Sequence, residues 1–160
     1  TVYHAFRAHQ IWLTLDFGPI LILCMAAMFM AWRMIRFNWK VILFTVVSFF
    51  VLVKGMAYVP GISRNVMIMG FYTSLAIPIV FPLLYYNLAV NHDNAKYLLA
   101  AVFLFALAIS FRTLDGQLPW PPQGTHFLWH IFGGLSVRFL IAYFFNAKAR
   151  ELTLEEAQVA

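Results

Sequence analysis

The chain has 160 residues, of which 63% are hydrophobic and 11% are charged, and its formal net charge is +5. Because a water-soluble domain has about 25% charged residues, this composition excludes an ordinary soluble domain and indicates an integral membrane protein. The 11 Lys and Arg residues are scattered between apolar stretches without forming a basic stripe, so the charge does not indicate nucleic-acid binding.

The apolar stretches predict an all-α, polytopic transmembrane helical bundle with five complete spans and part of a sixth. A helix needs roughly 20 apolar residues to cross about 30 Å of hydrocarbon. Residues 1–13 are predicted to form the end of one helix, ahead of the complete spans. We predict these spans at approximately 17–34, 41–59, 66–90, 97–111 and 126–146. Residues 1–147 would then form one transmembrane domain, and residues 148–160 a short charged tail.

The Lys and Arg residues near the span ends predict the orientation, because cytoplasmic loops are enriched in positive residues. One side of the predicted zigzag collects six of them: Arg33, Arg36, Lys40, Lys96, Lys148 and Arg150. The other side collects four: Arg7, Lys54, Arg64 and Arg112. This asymmetry predicts a cytoplasmic C-terminus, which places the start of the last span on the non-cytoplasmic side.

A pair of histidines at the start of the last span, His126 and His130, is the strongest candidate for a functional site. Their spacing of four residues puts both imidazoles on one face of a helix. Ionisable side chains at membrane depth are costly, so a facing pair there indicates a site. The predicted zigzag brings His4 and Asp16 to the same membrane level.

Three histidines and a carboxylate suit a catalytic zinc site. Zinc held by His4, His126 and His130 would keep one coordination position open for water. Asp16, a carboxylate outside this ligand set, is predicted to be the general base.

Other interpretations of these residues remain open. A histidine pair at a span end can instead hydrogen-bond to backbone carbonyls or to interfacial water. Bis-histidine ligation of haem or chlorophyll is a weaker alternative, because two ligands one turn apart cannot lie on opposite faces of a macrocycle. Asp115 is predicted to pair locally with Arg112, and Thr125 is predicted to be the N-cap of the last helix.

Four short segments carry a resemblance to a known family. They are TVYHA at residues 1–5, Asp16 a dozen residues after His4, RTLD at 112–115, and GTHFLWH at 124–130. In order and spacing they resemble the alkaline ceramidases, and the bacterial branch of that family above all. The family belongs to a superfamily of seven-span membrane hydrolases and receptors that includes the adiponectin receptors. The resemblance covers nearly the whole chain as spans two to seven, so we expect the first span to lie upstream of Thr1.

The resemblance implies a zinc-dependent membrane lipid amidase that hydrolyses the amide of ceramide or a related N-acyl lipid, located in a bacterial inner membrane. By position it assigns zinc to His4, His126 and His130, and the aspartate that holds the reacting water to Asp16. The separation of His4 and Asp16 is one residue longer than in the ceramidases. The family's serine would fall just before Thr1, which is an imperfect substitute for it as an oxyanion or water contact.

These departures keep open a function of another class, a catalytically silent structural or accessory subunit of a larger membrane complex built on the same fold. Arg138 is relevant to this alternative. It lies roughly 80–120° round the helix from the two histidines and about 18 Å deeper than His126, which argues against a role at the metal. Arg138 is predicted to contact a lipid headgroup or a partner chain, with snorkelling or bonds to carbonyls and hydroxyls as alternatives. The predicted partners are therefore membrane lipids and further membrane subunits.

Overall fold

The computed structural model describes the chain from Gln10 to Val159, apart from residues 57, 91, 116 and 118–123. We number its α-helices α1 to α5 in chain order. They are α1 Gln10–Met34, α2 Trp39–Met56, α3 Arg64–Ala89, α4 Ala95–Thr113 and α5 His126–Val159, with a short 3-10 helix, His92–Asn94, ahead of α4. No strand occurs among the described residues, so the predicted all-α bundle is confirmed.

The helices have the length and composition of membrane spans. Among the described residues, four apolar segments are long enough to cross a bilayer: Trp39–Met56, Val66–Ala89, His92–Thr113 and His126–Leu154. A shorter apolar segment, Gly18–Met34, forms most of α1. The chain is therefore an integral membrane protein with several helices of spanning length.

Two helix boundaries differ from the predictions. Helix α1 continues through residues 14–16, where a break was expected, because Thr14 and Asp16 mark a polar stretch without preventing helical backbone. Helix α5 continues to Val159 and has 34 residues, so it is about 51 Å long and exceeds the hydrocarbon thickness. Its last turns are rich in Ala, Glu and Leu, which favour helix, so the predicted tail is a helical extension.

Helices α4 and α5 form an antiparallel pair. The rings of Phe111 and Phe132 stack with their centroids 5.4 Å apart near the end of α4. Farther along, the Ser136 hydroxyl donates to the Ala101 carbonyl at 2.8 Å, and both residues are buried. Small residues such as Ala101 let two helices approach closely in a membrane. This packing holds the start of α5 against the end of α4.

Helix α3 runs parallel to α5 and contacts it at two levels. Tyr72 packs on Trp129 with ring centroids 4.6 Å apart. About four turns on, the Asn87 amide donates to the Tyr143 hydroxyl at 3.1 Å, and the Tyr143 side chain is completely buried. A buried hydrogen bond of this kind fixes the register of the two helices, because breaking it leaves a polar group unsatisfied.

Helix α1 packs against α3 and completes the core. Near the C-terminus of α1, the ring centroids of Trp32 and of Phe81 in α3 are 6.5 Å apart. The last turn of α1 also borders one groove with Tyr86, near the end of α3, and with α5. The buried cluster includes Ala27, Met28, Ala31, Trp32, Ile42, Ile79, Leu83, Leu98, Tyr143 and Phe144. Helices α1, α3 and α5 therefore begin at the same end of the bundle. We call this end the histidine end, after His126 and His130. We call the opposite end, which carries Arg33 and Lys148, the Arg33 end.

Candidate metal centre

The side chains of His126 and His130 meet at the histidine end. Their Nε2 atoms are 3.1 Å apart, and the two rings stand at 80° with centroids 4.9 Å apart. The His126 side chain is only 18% exposed, although it begins its helix. The predicted proximity of the two imidazoles on one helix face is therefore observed, and their Nε2 atoms are within hydrogen-bond distance of each other.

Asp115 fixes the start of the helix that carries both histidines. Its Oδ1 accepts hydrogen bonds from the backbone amides of Thr125, at 3.0 Å, and His126, at 3.1 Å. The first amides of a helix have no partner within the helix, so a side-chain acceptor stabilises them. The carboxylate also lies at the positive end of the helix dipole, where a negative charge is favourable.

The other oxygen of the same carboxylate faces the His126 ring. Asp115 Oδ2 lies 3.6 Å from His126 Nδ1, which is longer than a hydrogen bond. A carboxylate there favours the tautomer with its proton on Nδ1, which leaves the lone pair on His126 Nε2. A carboxylate behind the far nitrogen of an imidazole is the usual outer contact of a metal-binding histidine.

The loop before α5 is shaped around this carboxylate. Gly124 has φ +78°, a backbone conformation that suits glycine. A Cβ at that position would lie 2.5 Å from Asp115 Oδ1, so any larger residue would displace the carboxylate. Gly124 thus allows Asp115 to reach the helix start.

Thr125 immediately precedes α5, but its side chain does not make the predicted capping hydrogen bond. The buried hydroxyl donates to the Phe111 carbonyl at 2.7 Å and so ties the start of α5 to the end of α4. The predicted pairing of Asp115 with Arg112 is present as a long contact, with NH1 3.8 Å from Oδ2. The capping and the contact with His126 were not predicted, since residues ten and eleven positions apart across a loop share no helical periodicity.

The donor geometry fits a shared divalent metal. Two nitrogens bound to zinc at about 2.0–2.1 Å in a tetrahedron are about 3.3–3.4 Å apart. The observed 3.1 Å is slightly shorter, and without a metal it is the distance of a hydrogen bond between the two rings. The same short separation leaves no room for a macrocycle between the rings, which argues against the haem or chlorophyll alternative. Within the described side chains, no group of three or more His, Cys, Asp or Glu residues is arranged so that it could hold a metal ion.

The structure does not describe the side chains of the remaining residues predicted for the zinc site. Thr1 and His4 lie outside the described residues, and for Asp16 the structure gives the backbone, in α1, but not the side chain. Asp16 lies 17 residues before Arg33, and His130 lies 18 before Lys148. At 1.5 Å per residue these are about 26 and 27 Å. Since Arg33 and Lys148 border the same groove, the Asp16 backbone lies near the depth of His130.

Arg138 lies on the outer surface of α5, where its side chain is exposed. It shares that surface with Phe127, Ile131, Ile141 and Phe145, all of which are exposed and apolar. By helical rise and rotation, Arg138 lies about 18 Å along α5 from His126 and roughly 80–120° round the helix from the two histidines. A contact of Arg138 with a lipid headgroup or a partner chain remains a prediction.

Comparison with known proteins finds no match to this chain among protein-family models, curated proteins or solved structures. The functional interpretation therefore depends on the residues of the site.

Substitution of Asp115 should separate its two roles. Asp115→Ala removes the acceptor for two helix-start amides and should lower the free energy of unfolding by about 1–2 kcal/mol. Asp115→Asn keeps an acceptor but removes the charge facing His126, so we expect near-normal stability with zinc affinity about 10–100-fold weaker. Thermal unfolding in detergent and zinc titration measure the two effects, with Asp93→Asn at the Arg33 end as the control. Equal zinc affinity in Asp115→Asn and the parent would contradict the second role.

Proposed function

We propose that the protein is a zinc-dependent membrane lipid amidase that hydrolyses the amide of an N-acyl lipid, ceramide being the model substrate. The observation that carries this proposal is the 3.1 Å separation of the Nε2 atoms of His126 and His130, with Asp115 behind His126. These two histidines would hold zinc together with His4, the third ligand predicted from the sequence. Zinc in such a site supplies a Lewis acid that polarises a carbonyl and promotes ionisation of water.

The proton transfers of amide hydrolysis are assigned to Asp16. Its carboxylate would accept a proton from the attacking water and return it to the amine as the carbon–nitrogen bond breaks. The products are a fatty acid and the free amine of the lipid headgroup. The backbone of Asp16 lies near the depth of His130, which supports this assignment.

The position of the histidine pair supports a lipid amide as the substrate. His126 is the first residue of α5, so the pair lies where a spanning helix enters the bilayer. The amide of an N-acyl lipid lies at the same level, between the polar headgroup and the hydrocarbon. A substrate could therefore approach from within the membrane, with its acyl chain among apolar side chains and its amide beside the imidazoles.

An activity assay tests this function directly. The full-length protein, purified with zinc, should release fatty acid from at least one member of a panel of N-acyl lipids with different headgroups. His130→Ala should abolish that release, while His92→Ala, at the Arg33 end, should leave it unchanged. If no N-acyl lipid is hydrolysed by the zinc-bound protein, the alternative of a catalytically silent membrane subunit is favoured instead.

We further propose that the histidine end faces away from the cytoplasm of a bacterial inner membrane. Two contacts support a common location for the basic residues of the Arg33 end. Arg33 and Lys148 border one groove, and Arg150 pairs with Asp93 beside them. Positive residues concentrate on the cytoplasmic side.

Cysteine labelling of intact cells tests this orientation. In a Cys24→Ser background, an impermeant thiol reagent should label Gln117→Cys from outside, whereas Glu156→Cys should react only after permeabilisation. Labelling in the reverse pattern would invert the orientation.

A further inference from the structure

A groove opens between three helices at the Arg33 end, far from the histidine pair. It has a volume of about 300 Å³ and is bordered by residues of α1, α3 and α5. Phe29, Met34 and Phe144 form an apolar wall, while Arg33, Lys148 and Glu151 form a charged rim. The combination of an apolar wall and a charged rim matches an amphipathic ligand.

The groove lies at the level of lipid headgroups. Lys148 follows His126 by 22 residues, or about 33 Å of helix, which is close to the thickness of the hydrocarbon core. If His126 marks one membrane surface, Lys148 therefore marks the other. Phospholipid phosphates are concentrated at this level, and acyl chains extend from it toward the bilayer centre.

The rim charges favour a ligand with one negative charge. Two cations, Arg33 and Lys148, and one anion, Glu151, leave a net charge of +1 on the rim. Lys148 Nζ lies 2.7 Å from Glu151 Oε2, so Glu151 neutralises part of the positive charge of the rim. Arg33 is exposed and lies over the Phe29 ring, with its guanidinium carbon 6.0 Å from the ring centroid. A guanidinium binds phosphate oxygens in pairs, which an ammonium cannot do.

The backbone holds Arg33 at the end of its helix. A tight turn closes α1, in which the Arg36 amide donates to the Arg33 carbonyl at 3.0 Å and the Phe37 amide to the Trp32 carbonyl at 3.3 Å. Trp32 is buried in the core and packs edge-on against Phe37 with centroids 5.2 Å apart. The guanidinium therefore extends from an anchored helix end rather than from a free loop.

We propose that this groove binds an anionic phospholipid with a phosphodiester headgroup, phosphatidylglycerol being the test case. The phosphate contacts Arg33 and Lys148, and the acyl chains lie along Phe29, Met34 and Phe144. Glu151 limits the rim to one net positive charge and so disfavours ligands of higher negative charge. This site is independent of the proposed zinc site and of any lipid hydrolysis.

Lipid binding by the purified full chain in detergent tests this proposal, with native mass spectrometry or lipid titration as the readout. Phosphatidylglycerol should bind in preference to phosphatidylcholine and phosphatidylethanolamine of the same acyl chains. Each of Arg33→Ala and Lys148→Ala should weaken its binding about fivefold, and the double variant about 25-fold, as expected when basic residues near anionic lipid are removed. Lys40→Ala removes a charge from the same end but outside the groove, and should have no effect.

A second variant keeps the test informative if the alanine variants fold poorly. Glu151→Gln removes only an exposed carboxylate, which costs little stability, and should strengthen phosphatidylglycerol binding. Glycerol 3-phosphate, which has no acyl chains, should not displace the lipid at equal concentration. Equal binding of phosphatidylcholine, an equal loss in Lys40→Ala, weaker binding in Glu151→Gln or displacement by glycerol 3-phosphate would each overturn the proposal.

Discussion

His126→Ala and His130→Ala should each remove most of the zinc from the purified protein, which should otherwise hold about one equivalent. With one imidazole gone, the site keeps two of its three proposed ligands, and two ligands bind zinc weakly. The 3.1 Å separation of the Nε2 atoms is the basis for expecting both variants to behave alike. Elemental analysis after dialysis against a chelator of moderate strength measures the effect.

A matched control separates loss of the metal from loss of the fold. His92→Ala removes an exposed histidine from the 3-10 helix at the Arg33 end and should keep the full zinc content. Thermal unfolding of all three variants shows whether the bundle is intact. Zinc retained in full by both His126→Ala and His130→Ala would remove this pair as a metal site.

Asp16→Asn should retain zinc and lose amide hydrolysis by roughly 10²–10⁴-fold, the usual contribution of a positioned acid or base. Asparagine is nearly the same size as aspartate but cannot accept the proton of the attacking water. The measurement is initial-rate release of fatty acid together with zinc content on the same preparation. Asp93→Asn, at the Arg33 end, is the matched control and should be fully active.

The outcomes of this substitution distinguish three roles. Loss of both zinc and activity would make Asp16 a metal ligand instead of a base. Unchanged hydrolysis would exclude it from the proton transfers. Only activity lost with zinc retained agrees with the proposed general base.

Much of the fold could be predicted because membrane helices follow from hydropathy alone. The spans at 41–59, 66–90 and 126–146 correspond to α2, α3 and the first part of α5. The boundaries of α1 and the end of α5 were harder to predict, because polar residues at a membrane surface change the environment of a helix without ending it. Hydropathy indicates where a helix leaves the lipid, and backbone propensity determines where it stops.

The candidate site was predictable where its residues share one helix. The spacing of His126 and His130 places their rings together by helical geometry alone. Asp115 lies in the preceding loop, and its contact with His126 depends on how that loop folds back. No periodicity relates the two positions, so the contacts of Asp115 could be identified only from the three-dimensional structure. The contributions of Thr1, His4 and Asp16 stay predictions.

The close approach of Gly124 and Asp115 links two positions that would otherwise vary independently in evolution. A side chain at position 124 would force the carboxylate away, and the simplest compensation is a smaller residue at position 115. Such a pair of substitutions can restore the loop, but it leaves no negative charge behind His126. Among descendants of this sequence, replacement of the glycine should therefore accompany replacement of the aspartate. That double change would identify the lineages in which the histidine pair no longer has a carboxylate beside it.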